Sequence, residues 1–428
     1  MKISIIKNQE ELRKQLQKIN ERSSFKLEQV NETVSSIIAD VKKRKDAALI
    51  YYAAQFDGAA LTSLRVSDEE IEEAYHACDK HFLSILEEAR KNIIEYHSLQ
   101  HYADIQIDTC GRQLSQKITP IKRVGIYVPG GKSPYPSTVL MDSIPAQVAG
   151  VKEIAMITPS DKDGKVNRNI LAAAKICGIT EIYKSGGAQA IAALAYGTET
   201  IKPVYKICGP GNLYVAAAKK LVYGDVDIDM LAGPSEVLII ADKNANPVYA
   251  AADLLSQAEH DEAAASILVT NDLVLAEKVK DEVEKQLKTL SKKAIAEVSI
   301  AQYGIILVTE SLQQCFDISN EIAPEHLELL IENPKESLHL VENAGTVFMG
   351  EFTPEPIGDY FAGSNHTIPT SGKAKFYSPL STYDFLKRTS VVCYDKNALT
   401  AVKDKVIAFA ETEGLTAHAN SIKKRFEE

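Results

Sequence analysis

The chain has 428 residues, 45% of them hydrophobic, and a formal charge of -10. That is ample for a buried core and for more than one domain, and the acidic balance, relieved only by the short KKRK run at 42–45, argues against nucleic acid as the main partner. Six scattered cysteines without a C-x-x-C pair signal neither a cysteine zinc site nor a disulfide framework; with a polar start and no run near the roughly 20 apolar residues of a membrane span, they predict a soluble protein of a reducing cytoplasm.

In chain order, the first hundred or so residues read as helices. VSDEEIEEAYHACDKHFLSILEEARKNIIEYHS opens with Ser67 as cap and Glu70 three later, flanked by Val66 and Ile71 at the positions of a hydrophobic staple. His76, His81, His97 and His101 have no partner spacing and read as structural or surface residues. From residue 123 the pattern changes. RVGIYVPG is a strand and turn, followed by a helix (PSTVLMDSIPAQVAGV), a strand (EIAMITP) and a helix (NRNILAAAKICG), and the alternation runs on to VDIDML. Such alternation predicts right-handed βαβ units on a mostly parallel sheet. After AGPSE a second series begins: EVLIIAD, a helix opening at Asn246–Pro247, SILVTN, a charged helix over 272–290 and YGIILVT. The boundary between the two α/β sheets falls near Gly233 and Pro234, and the tail after about 380 reads as a separate, mostly helical, charged segment.

Three Gly-rich turns, VPGGKSPYPS (128–137), KSGGAQA (184–190) and CGPGNLY (208–214), each follow a strand and open a helix. Backbone N–H groups and a helix dipole there would favour an anion such as a diphosphate, and open α/β sheets bind ligands beyond the carboxyl ends of their strands. The G-x-G-x-x-G fingerprint is missing, so plain turn chemistry stays open beside a cofactor role. In DLLSQAEHDEAAAS, Gln257 and His260 stand three apart on one helix face. Glu325 directly precedes His326, Asp359 and His366 share a long turn-rich segment, and Glu413 and His418 lie near the C-terminus, whereas His339 has no such company. Two imidazoles, a carboxylate and an amide oxygen suit a zinc site. Glu325 and His326 suit general acid–base work, with the residues after Pro324 leaning to strand. The residues alone thus read as a two-domain α/β enzyme with a metal and an open reaction.

The motifs VGIYVPGGKSPYPSTVLM, YKSGGAQAIAALAYGT, KICGPGNLYVAAAK, DMLAGPSEVLIIAD, ADLLSQAEHD, APEHLEL, IGDYFAGSNHTIPTSG and EGLTAHANSI, spread over nearly the whole chain, resemble those of the histidinol dehydrogenase family. Two positions depart from that pattern: Ser364 stands where proline is usual and Asp142 where asparagine is more usual. The resemblance implies two incomplete Rossmann-like parallel-sheet domains in an intertwined homodimer. They comprise an N-terminal helical segment 1–24, a discontinuous first α/β domain 25–126 and 236–379 carrying the metal and catalytic residues, a second α/β domain 127–235 on the NAD side, and a helical tail 380–428 reaching the partner subunit. It further implies one zinc per subunit on Gln257, His260, Asp359 and His418, the last from the neighbouring subunit, and NAD at Tyr127, Gln189 and Asn212. L-Histidinol would meet Ser235, Gln257, His260, His326, Asp359, His366, Glu413 and His418, with Glu325 and His326 catalytic. Competing readings are a dehydrogenase of this fold for another polar alcohol, a zinc hydrolase, and a non-catalytic paralogue.

Overall fold

The computed structural model describes residues 1–5, 9–130 and 134–427. Its strands, in chain order, are β1 (Lys2–Ile5), β2 (Gln106–Thr109), β3 (Arg112–Pro120), β4 (Arg123–Tyr127), β5 (Glu153–Thr158), β6 (Glu181–Lys184) and β7 (Lys206–Cys208). There follow β8 (Asp227–Ile228), β9 (Glu236–Ala241), β10 (Ala265–Thr270), β11 (Gly304–Val308), β12 (His326–Leu330), β13 (Thr346–Met349) and β14 (Leu386–Tyr394). They form two compact units, residues 1–100 with 122–385, and residues 101–121 with 386–428.

The first unit holds two parallel sheets. One runs β6-β5-β4-β7-β8, the other β1-β11-β10-β9-β12-β13. Taken in sequence order within each series, both have the strand order 3-2-1-4-5, the Rossmann order without its sixth strand; β1 extends the second sheet beside β11. Residues of β9, β10 and β12 are buried along their whole lengths, as expected of parallel strands covered on both faces. Alternation sorts them: Val237 and Ile239 pack with Leu254 and Val279 on one face, while Leu238 and Ile240 pack with Phe316 and Ile318 on the other. Each such side chain contributes about 1.5–3 kcal/mol by burial.

Asn246 caps the helix Pro247–Ala258, accepting a hydrogen bond from the Val248 N–H at 2.9 Å. The Ser67–Glu70 capping box also forms, though the helical stretch behind it is broken into Asp68–Ala77 and Lys80–His97. The turns that follow β9, β10 and β12 carry Asp242, Asp272 and Glu332 and no glycine, unlike those of the five-stranded sheet. Among the described residues no helix is long and apolar enough to cross a membrane, and all six cysteines are free.

One expectation is corrected and one refined. The N-terminal helical segment 1–24 opens instead with strand β1, and the helix that follows, Gln9–Arg44, runs well past residue 24. KISI is too short to show a period and owes its conformation to pairing with β11. The tail is mostly helical, as expected, but includes a strand. In the second unit β14 pairs antiparallel with β3 over nine residues, and β2 pairs with β3, before the helices Lys396–Thr412 and Thr416–Lys423. Thr389, Val391, Val392 and Tyr394 are strand formers whose signal was outweighed by the charged residues around them.

Candidate active site

The carboxyl edge of the five-stranded sheet faces a cleft of about 810 Å³. Tyr127 at the end of β4, Gly186 and Gly187 after β6, and Gly209 to Asn212 after β7 line it. The opposite wall is built from the amino edge of the six-stranded sheet: Ser235 precedes β9, His260 precedes β10, and Glu325 and His326 stand at the start of β12. The carboxyl-end rule therefore holds for one sheet only, and the second presents its other end.

Residue Glu236, at the start of β9, organises the Glu325–His326 pair. Its backbone N–H donates to Glu325 Oε2 at 2.8 Å, and its carbonyl lies 3.1 Å from His326 Nδ1. Gln257 Oε1 lies 3.2 Å from the same nitrogen. Two acceptor oxygens at Nδ1 fix the proton there and leave the lone pair on Nε2. That Nε2 is buried without a hydrogen-bond partner among the described residues, 3.8 Å from Asp359 Oδ1. Burial pushes His326 below the ordinary histidine value, keeping it neutral, and pushes the Glu325 carboxyl well above the usual carboxylate range. Backbone geometry supports the pair from behind. Gly345 lies so close that a Cβ there would stand 2.5 Å from the Glu325 carbonyl oxygen, which leaves no room for a side chain.

Beside them, His260, Glu355 and Asp359 each offer one donor atom, all within 4.8 Å of one another. His260 follows the end of the Pro247–Ala258 helix, and its Nδ1 lies 3.0 Å from the Ser256 carbonyl, which turns Nε2 outward as the ligand end. Gln257, fully buried, has its Nε2 3.5 Å from His260 Nδ1 and its oxygen at His326. Glu355 is the residue that sequence reasoning missed. It stands four before Asp359 on the short helix Glu355–Tyr360, and i,i+4 carboxylates share a helix face. The spacing was readable, but the flanking prolines made the segment look like a loop. Its Oε2 accepts from Ser256 Oγ at 3.2 Å, and burial pushes it up to about 7. The imidazole of His260 and the carboxylates of Glu355 and Asp359 form a donor set that zinc fits, with the Gln257 amide oxygen engaged at His326 Nδ1.

On the glycine-turn wall, the Gly187 N–H donates to Tyr127 Oη at 3.3 Å. Gln189 is buried beneath the same turn, its Oε1 2.9 Å from where a Gly187 Cβ would be. Asn212 caps the helix Leu213–Val222 through Oδ1, 3.0 Å from the Tyr214 nitrogen, a bond that does not use its amide nitrogen. Gly131, Lys132 and Ser133 of the first Gly-rich turn lie outside the described residues. His366 lines the cleft with its Nε2 3.4 Å from Thr138 Oγ1. Thus Ser235, Gln257, His260, Glu325, His326, Asp359 and His366 share one cleft. Glu413 and His418 belong to the second unit, both exposed, at the end of one helix and within the next.

Comparison with known proteins gives one answer. The family model for histidinol dehydrogenase matches residues 20–426. The chain is 52% identical over 401 residues to a histidinol dehydrogenase of Listeria monocytogenes serovar 1/2a, covering 94% of each chain. It is 54% identical over 411 residues to that of Caldanaerobacter subterraneus subsp. tengcongensis, covering 96% of this chain and 95% of the other. The crystal structure of histidinol dehydrogenase from Elizabethkingia anophelis superposes with a TM-score of 0.93 at 40% identity, covering 99% of this chain and 98% of that one.

Proposed function

Since the chain belongs to the histidinol dehydrogenase family and is an oxidoreductase of histidine biosynthesis, we propose that it oxidises L-histidinol to L-histidine through L-histidinaldehyde, with NAD and one zinc per subunit. The observation that carries this reading is the cleft itself. One wall has the Gly-rich turns suited to a dinucleotide, and the other aims an unpartnered imidazole nitrogen at a nitrogen-and-oxygen donor cluster.

Gln257, His260 and Asp359 would hold the metal together with the partner subunit's His418, and Glu355 supplies a further carboxylate beside His260. Zinc so held supplies a template for the amino and imidazole nitrogens of the substrate. Tyr127, Gln189 and Asn212 serve the NAD side, where the hydride acceptor binds. The conversion removes four electrons as two hydrides and so consumes two NAD per substrate. His326 Nε2 takes the alcohol proton in the first oxidation. Glu325, in its ionised form, takes a proton from the water that hydrates the aldehyde, and burial makes that carboxylate a stronger base than an exposed one. His326 then acts a second time as base. Ser235, His366 and Glu413 orient the substrate.

The test is NADH formed per L-histidinol consumed. Two per substrate, lost on chelation and restored by zinc while NADH binding persists, is the expected result. One would mean that the aldehyde escapes and the roles of Glu325 and His326 are wrong; none would send the search to other polar alcohols. A shared site in a homodimer makes a separate prediction. His326→Asn and His418→Ala proteins, each inactive alone, should regain roughly a quarter of wild-type activity when mixed subunits form, because half the dimers then hold one intact site. No recovery would assign His418 to its own chain's site.

A further inference from the structure

We propose that Asp142 is a positioning residue for this reaction: from beneath the cleft it sets the His366 loop against the Gly209–Asn212 turn. The inference rests on the reading that His366 faces substrate and that turn faces the cofactor.

Asp142 lies on the helix Pro136–Val148 and is fully buried. Three consecutive residues of the loop are gripped by this helix. Thr367 Oγ1 donates to Asp142 Oδ1 at 2.8 Å, Asn365 Nδ2 donates to the Met141 carbonyl at 2.6 Å, and His366 Nε2 lies 3.4 Å from Thr138 Oγ1. The other carboxyl oxygen, Oδ2, has no hydrogen-bond partner among the described residues and packs on Gly209. A Cβ on Gly209 would meet it at 2.9 Å and the Tyr127 carbonyl at 2.1 Å, and Gly209 has φ +113°, so only glycine fits. From its far side Gly209 is held by a buried ion pair: its N–H donates to Asp229 Oδ2 at 2.8 Å and its carbonyl accepts from Lys219 Nζ at 3.0 Å. Asp142 therefore touches both the substrate loop and the cofactor turn, two separate stretches of chain whose relative placement must hold to about an ångström for hydride transfer.

A carboxylate is a costly group for such a place unless it is neutral. The charged groups that face it are Asp229 and Lys219, with Cys208 at the end of β7, Lys206 and Asp384 further along that side, and His366 beside Thr367. Burial, then the Asp229 charge, push Asp142 up to about 8. Protonated, it has the shape and polarity of an asparagine, so an Asp142→Asn exchange keeps the contact with Thr367. The sign follows from linkage. The folded-state value lies above the unfolded one, so wild-type protein loses stability, relative to an Asp142→Asn variant, as pH rises from about 4 to about 8.

Steady-state kinetics, NADH binding and thermal unfolding of four variants decide it. Asp142→Ala should lower kcat/KM for L-histidinol by about ten- to a hundredfold and weaken NADH several-fold, as expected when a supporting contact is removed and reacting groups shift. Thr367→Val should reproduce the histidinol defect, and the double variant should be no worse than Asp142→Ala, since both break one contact. Asp142→Asn should recover activity and abolish the pH-dependent loss of stability. Ordinary kinetics in Asp142→Ala with only a lowered Tm, or losses that add with Thr367→Val, would overturn the positioning role; a constant Tm gap between wild type and Asp142→Asn would overturn the neutral carboxyl. Should Asp142→Ala fail to fold, Thr367→Val and Asp142→Asn carry the comparison. If wild type forms no NADH from histidinol, the functional reading fails, and NADH affinity and the pH–stability slope still decide Asp142.

Discussion

Replacement of His326 by asparagine should lower kcat for both oxidations by about 10²–10⁴, the range supplied by a positioned general base, with NADH affinity within about threefold of wild type. The reason is the fixed tautomer. The Glu236 carbonyl and Gln257 Oε1 both meet Nδ1, so the basic lone pair is on Nε2 and points toward the donor cluster. Asparagine can still donate to the Glu236 carbonyl, so the start of β12 keeps its partner and the fold is spared, but its amide has no basic nitrogen. Alcohol oxidation within tenfold of wild type would mean that another group takes the proton.

Replacement of Glu325 by glutamine should separate the two halves of the reaction. Glutamine retains an oxygen to accept the Glu236 N–H, which Glu325 Oε2 accepts at 2.8 Å, and loses the ability to take a proton from water. Single-turnover measurements started from L-histidinaldehyde should therefore slow by about 10²–10³, and those started from L-histidinol, read at the first hydride, by less than about tenfold. Equal loss in both would sink the water-activating role. The same substitution should raise stability, more at pH 8 than at pH 5. Burial holds the Glu325 carboxyl above its unfolded value, so its ionisation destabilises the folded chain as pH rises. Activity gained at the expense of stability is the usual bargain of a buried catalytic base.

Much of this was legible in the residues, and what was not has physical causes. Strand–helix alternation from residue 123 announces two parallel sheets, because continuous apolar runs such as EVLII and SILV suit strands covered on both faces. The QAEH spacing places Gln257 and His260 on one side of a helix end, and Glu325 beside His326 is a plain pairing of carboxylate and imidazole. Which end of a strand faces a ligand has no local signature. It depends on how the second sheet meets the first, so the amino-edge placement of Glu325 and His326 had to come from tertiary structure. Glu355 was hidden by its prolines, and β14 by the lysine and arginine among its β-branched residues. Asp142 could be noticed as a departure from the family pattern, but its partners, Thr367 and Gly209, are far along the chain.

Two sheets share one strand order, yet glycine turns follow the strands of the five-stranded sheet, while carboxylates Asp242, Asp272 and Glu332 follow β9, β10 and β12. Fixed negative charge disfavours a diphosphate, so the proposed nucleotide belongs at the five-stranded sheet. For a four-electron oxidation this sets a timetable. On the proposed reaction, spent nucleotide would leave the glycine-turn wall and fresh nucleotide would arrive there while the half-oxidised substrate stays in place. The dwell time of the aldehyde on its anchoring residues must then exceed the time of that exchange, which makes retention, as much as chemical speed, the property on which the opposite wall has to be judged.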